Sequence, residues 1–179
     1  MQDGDLAIGV DVGGTKVAAG LLEMRDGRAQ VLARARGAVD PATNAGGLAS
    51  ITTVVDEIAY TLTTGQRARL RGVGVACAGN VDHETGTLRR AANMAWVDLG
   101  IAQALRGRYG VPSRVENDVN AGAWGLACFP GTRVPLPANP TVAYLVVGTG
   151  IGAGVVDGGR ILRSEEHTSE LQSRLHLVC

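Results

Sequence analysis

Four short stretches of this sequence combine residue types and spacings suited to phosphate and polyol chemistry. The first is Asp11-Val12-Gly13-Gly14-Thr15-Lys16, set between two apolar runs. Glycines let a backbone approach a phosphate closely and turn N–H groups toward it. Thr15 adds a hydroxyl donor. Asp11, closing an apolar run, is placed to hold a hydrated Mg²⁺ near the same phosphates. This is not a Walker A loop, because no G-x-x-x-x-G-K-[ST] occurs in the chain. The same residues also read as an ordinary hairpin closed by a Gly-Gly turn.

The second stretch is Gly148-Thr149-Gly150-Ile151-Gly152-Ala153-Gly154, again after an apolar run. A dinucleotide-binding reading needs a helix next, and Val155-Val156-Asp157-Gly158-Gly159 is not one. A phosphate-binding strand–turn–strand fits better, with a glycine-rich bulge that only packs as the alternative. The third is Glu116-Asn117-Asp118-Val119-Asn120-Ala121, where a strand should give way to a helix. Asn117 or Asp118 could cap that helix. An Asp there could equally be a general base that takes the proton from a hydroxyl attacking a γ-phosphate. The fourth is Ala91-Ala92-Asn93-Met94-Ala95-Trp96. Asn93 offers both a donor and an acceptor to a polyol, and Trp96 could wall a pocket or fill a core.

The elements that must position these residues follow from periodicity. Leu6–Val12, Lys16–Leu22 and Ala29–Arg36 read as three strands with tight turns, hence an antiparallel meander. Leu48, Ile51, Val55, Ile58 and Leu62 recur at helical spacing and predict one amphipathic helix ending near Gly65. Gly72–Ala78 reads as a strand buried on both faces. Ile101, Leu105 and Tyr109 mark a short helix stopped by Gly110 and Pro112. Ser113–Glu116 is a strand, Asn117–Phe129 a helix, and Thr141–Val147 a further buried strand. Val155–Leu162 reads as strand, turn, strand. Strands followed by alternating strands and helices predict an α/β fold.

Composition narrows the function classes. Among 179 residues, 17 basic side chains balance 17 acidic ones, which gives nucleic acid binding no electrostatic support. Aromatics are only 3% against 45% hydrophobic residues, so the core should be aliphatic. No apolar run suggests a membrane helix. Cys77, Cys128 and Cys179 form no C-x-x-C pair, and a reducing cytoplasm is the simplest setting.

In this order and spacing, the four stretches resemble the ROK family (repressor, open reading frame, kinase), and within it the glucokinase-like members. The likeness runs from about Leu6 to Leu162. Ala78-Gly79-Asn80-Val81-Asp82 resembles the family's Pro-Gly-x-Val-Asp turn, and Ala92–Trp96 its Pro-Asn-Leu-x-Trp sugar-contact segment; in each, alanine stands where proline is usual. The resemblance implies an actin-like ATPase fold of two ribonuclease-H-like domains. It implies an ATP-dependent kinase that transfers the γ-phosphate to a hexose's primary hydroxyl, with glucose the first candidate. Asp118 would be the catalytic base, and Asn93, Asn117 and Asp118 would bind the sugar. Asp11, Gly13, Gly14, Thr15 and Lys16, with Gly148, Thr149, Gly150 and Gly152, would bind ATP. Asp11 would organise Mg²⁺ through water. The full-length form is expected to be a homodimer that binds neither nucleic acid nor membrane.

A strand–turn–strand that opens after the Asn117-Asp118 corner sets off a first domain over 1–118 from the start of a second over 119–162, and the break in composition marks 163–179 as an expected foreign tail, with a genuine short amphipathic helix as the alternative reading. All 26 glycines lie at or before Gly159, and the run from Arg163 resembles a translated sequencing adapter. The family's later Gly-Glu-x-Gly-His segment and its cysteine-rich structural zinc motif do not occur here, so zinc is expected only in sequence beyond this chain. The chain as written is expected to be poorly soluble and inactive. The competing functions are a sugar-responsive transcriptional regulator, for which the strand starting at Leu6 leaves no helix-turn-helix ahead of it, and a non-catalytic sugar-binding protein.

Overall fold

The computed structural model describes residues 1–91, 93–129, 139–147 and 151–163. The expected meander is present as β1 (Leu6–Val12), β2 (Lys16–Arg25) and β3 (Arg28–Ala38). Helix α1 (Asn44–Thr61) follows, then α2 (Thr64–Arg69) and β4 (Leu70–Cys77). Three short strands come next: β5 (Asn80–Asp82), β6 (Thr87–Arg90) and β7 (Val97–Leu99). Helix α3 (Ile101–Tyr109), β8 (Ser113–Asn117) and α4 (Asp118–Cys128) lead to β9 (Val142–Val147), β10 (Ile151–Asp157) and β11 (Arg160–Leu162).

The main sheet has the order β3-β2-β1-β4-β8. β1 runs antiparallel to β2 and parallel to β4, which is parallel to β8. The alternation of β1 explains its place: Leu6, Ile8, Val10 and Val12 are all buried, on one face. That face meets Ile51, Val54, Val55 and Ile58 of α1, and Ile101 and Leu105 of α3, in one aliphatic core with a single buried tryptophan, Trp96. The chain divides into two compact units, Met1–Asp118 and Val119–Cys179.

Three expectations need correction. The helix expected to end near Gly65 ends at Thr61, because Thr63 starts a second helix. Its hydroxyl accepts from the Gln66 N–H while the Gln66 side chain accepts from the Thr63 N–H, a reciprocal capping box. β4 is buried on one face only: Val73, Val75 and Cys77 face the core, while Gly72, Gly74 and Ala76 bring little side chain to bury on the other. β9 is not a buried strand either, since Leu145 is 65% and Val147 77% exposed.

Helix α3 stops where the sequence predicts, with Gly110 left-handed at φ 67° and its N–H bonded to the Arg106 carbonyl. Among the described residues, no helix is long and apolar enough to cross a membrane. The segment 163–179, expected to be a foreign tail, lies outside the described residues apart from Arg163.

Candidate functional site

The three parallel strands β1, β4 and β8 end together. Val12 pairs with Cys77, and Cys77 with Asn117. The carboxyl ends of parallel strands are where α/β sheets place ligands. Two carboxylates stand at this edge, on either side of β4. Asp11 is the second-last residue of β1 and is exposed. Asp118 opens α4, where the helix dipole favours a negative charge. Partial desolvation pushes the Asp11 carboxyl above its ordinary value, and the charge of Asp118 pushes it further the same way. Between them lies the fully buried Cys77. Burial first, then both carboxylates, push its thiol up to about 12, so it stays protonated and inert.

Asn117 is held beside this edge. Its Nδ2 donates to the Gly79 carbonyl at 3.0 Å. Gly79 has φ 135°, and a Cβ there would stand 2.4 Å from the Arg90 carbonyl oxygen. Only glycine fits. The Ala78–Asp82 turn thus carries a backbone group that orients a candidate sugar ligand. Asn93 lies exposed in the turn between β6 and β7. Trp96 does not wall a pocket: it is fully buried, and its Nε1 donates to the Asp40 carbonyl at 3.0 Å.

The first glycine loop joins β1 to β2. The Gly13 N–H is used within the turn, donating to the Lys16 carbonyl at 2.9 Å. That amide is therefore not free for a phosphate. Gly14, Thr15 and Lys16 are exposed, and a Cβ on Gly14 would meet nothing within 4 Å. Of the second loop, Gly148, Thr149 and Gly150 lie outside the described residues. Gly152 lies within β10, where a Cβ would come 2.9 Å from the Val119 side chain. A Cβ added at Gly154 would likewise run into the Val119 carbonyl oxygen. These two glycines let the strand pack closely on the first turn of α4.

Among the described residues no group of three or more His, Cys, Asp or Glu side chains could hold a metal ion. A polar groove of about 550 Å³ is lined by His83, Arg106, Ser113 and Arg114, among others. It lies where β8 begins, at the far end of that strand from Asp118, so it takes no part in this edge. Sequence reasoning missed Cys77 as the residue between the two carboxylates. The only available signal was its place at the end of an apolar strand.

A protein-family model described as the ROK family matches residues 7–169. The glucokinase of Streptomyces coelicolor is 32% identical over 160 residues, 88% of this chain and 45% of that enzyme. The xylose repressor of Bacillus subtilis is 29% identical over 94 residues, 52% of this chain and 23% of that protein. The structure of a ROK family glucokinase from Streptomyces griseus, in complex with glucose and AMPPNP, superposes with a TM-score of 0.73 at 32% identity, covering 89% of this chain and 47% of that one. An inorganic polyphosphate/ATP-glucomannokinase from Arthrobacter superposes with a TM-score of 0.70 at 27% identity, covering 90% and 62%. The chain spans about half the length of the curated glucokinases it matches. The fold is the actin-like ATPase fold.

Proposed function

The chain belongs to the ROK family, and on that premise we propose that its function is that of an ATP-dependent hexose kinase, with glucose as the first candidate substrate. The observation that carries this reading is the meeting of Asp118, Asn117 and Asp11 at the carboxyl edge of the parallel strands. The likeness to a glucokinase solved with glucose and AMPPNP supports it.

Each residue then has a task. Asn117, oriented by Gly79, and Asn93 bind sugar hydroxyls. Asp118 accepts the proton of the primary hydroxyl as its oxygen bonds to the γ-phosphorus, and the bond to the β,γ-bridging oxygen breaks to release ADP. Gly14, Thr15 and Lys16 hold phosphate oxygens, and Gly148, Thr149 and Gly150 share that task. The donor set suits Mg²⁺: the ion takes one or two carboxylates plus phosphate oxygens, and Asp11 supplies a carboxylate whose repulsion by Asp118 a cation would relieve. When bound, Mg²⁺ would neutralise charge on the phosphates, and Asp11 would hold it through water. Most of the rate then comes from positioning and electrostatic stabilisation.

A sugar-responsive regulator is the second reading, favoured by the matched xylose repressors. It is placed second because the glucokinase likeness spans 160 residues and the Bacillus subtilis repressor likeness 94. ADP release by the full-length protein, measured with ATP and glucose, N-acetylmannosamine or fructose, separates the two. Hexose-stimulated turnover is expected. Hexose binding without turnover for all three sugars would overturn the kinase in favour of the regulator.

A further inference from the structure

The turn that carries Asn93 is clamped to the start of α1 by contacts from a distant part of the chain. Trp96 donates its Nε1 to the Asp40 carbonyl, and the Ala95 N–H donates to the Pro41 carbonyl at 2.8 Å. A Cβ on Gly47 would stand 2.2 Å from the indole, and one on Gly46 would stand 2.4 Å from the Asp40 carboxylate carbon. Glycine inside a helix is destabilising relative to alanine. Two in succession in the first turns of α1 make sense through what they admit: the Asp40 side chain and the Trp96 ring.

Asn44 completes the clamp. Its Nδ2 donates to the Val97 carbonyl at 2.7 Å, and its Oδ1 accepts from the Val97 N–H at 3.0 Å. One carboxamide thus does for β7 what a neighbouring strand would do, on the edge away from β6, where Arg90 is the partner of Val97. Asn44 is exposed, so the core does not need it. A side chain that spends both its donor and its acceptor on one distant backbone residue is fixing a position rather than filling space. The same helix packs on β1, whose end carries Asp11.

We infer that Asn44 is a positioning residue for the hexose site: its amide fixes β7, and through β7 the turn that presents Asn93. This rests on the reading that Asn93 contacts the sugar. Residues 44 and 93 then act as one unit, and their effects on hexose binding are not additive.

The test is a double-mutant cycle in the full-length protein, reading the glucose Kd by calorimetry. Asn93→Ala and Asn44→Ala should each weaken glucose binding, the latter about three- to tenfold. The double variant should be no weaker than Asn93→Ala alone. Asn44→Asp, which keeps an acceptor for the Val97 N–H but sets a carboxylate oxygen against the Val97 carbonyl in place of the Nδ2 donor, should not recover the loss, and ATP affinity should not move in any of the four variants. If Asn93→Ala leaves glucose binding unchanged, the reading that Asn93 contacts sugar fails. If Asn93→Ala weakens binding but Asn44→Ala does not, or if the two effects add, the positioning role is overturned while the contact stands.

Discussion

Asp11 and Asp118 end up on opposite sides of β4 although more than half the chain separates them in sequence, and desolvation first, then the charge of Asp118, raises the pKa of Asp11. A carboxylate that is partly desolvated and kept within reach of a second one's charge costs the fold stability.

That cost predicts a stabilising substitution. A carboxyl whose folded-state pKa lies above its unfolded value costs stability once the pH rises past the unfolded value, and the cost is complete above the folded one. Asp11→Asn should therefore raise the melting temperature of the full-length protein at neutral pH. The gain should vanish at about pH 3, where both states are protonated. Differential scanning calorimetry of parent and variant at the two pH values reads this directly. An equal gain at both would place the effect outside the carboxylate pair.

The acid side of the stability profile has the opposite sign. Asp5 is held below its ordinary range by the Gln2 N–H and then Arg71, Glu23 by Arg69, and Asp82 at about 2 by the Thr85 N–H and then Arg89. A depressed carboxyl stabilises the fold above its unfolded pKa and stops doing so as the pH falls through its folded one. The urea midpoint should thus fall steadily from about pH 5 to about pH 2. Glu23→Gln should flatten that slope, because Glu23 accepts from both Arg25 at 2.8 Å and Arg69 at 2.9 Å.

Gly47→Ala should cost about 1–3 kcal/mol, the usual penalty for overpacking a core. The added methyl would meet the fully buried Trp96 ring. Urea unfolding followed by tryptophan fluorescence measures the loss. A change below about 0.5 kcal/mol would mean that α1 shifts to make room.

Gly79→Ala should disturb both fold and site. The left-handed φ and the Arg90 carbonyl 2.4 Å from a Cβ oppose any side chain, at about 1–3 kcal/mol. Because Asn117 donates to the Gly79 carbonyl, glucose affinity should fall as well, with ATP affinity unchanged. Calorimetric titration of each ligand checks the split.

The parts of the fold written in periodic patterns were legible. Alternation in Leu6–Val12 and helical spacing from Ile51 to Ile58 place a sheet and its covering helix, and Gly110 marks where α3 stops. What stayed hidden was encoded too briefly or at too great a distance. β5 and β7 are three residues each, too short for a period of two to stand out. The Thr63–Gln66 capping box was readable as spacing, but the continuing apolar pattern up to Leu62 masked it. Trp96 reads equally as pocket wall or core residue in the sequence, and it is Gly47, far away along the chain, that makes room for it in the core. Asp11, Asn117 and Asp118 are singled out by their motifs, and the sheet brings them to one edge. The use of the Gly13 amide inside its own turn, and the packing role of Gly152, depend on contacts that spacing does not reveal.

The central claim is that Asp118 is the base of a hexose kinase, and its most direct test is glucose-dependent ADP release by the full-length protein beside an Asp118→Asn variant. Turnover should fall by about 10²–10⁴-fold while the calorimetric affinities for ATP and glucose stay near those of the parent. Turnover that survives the substitution would contradict it, and would leave Asp118 as no more than the first residue of α4.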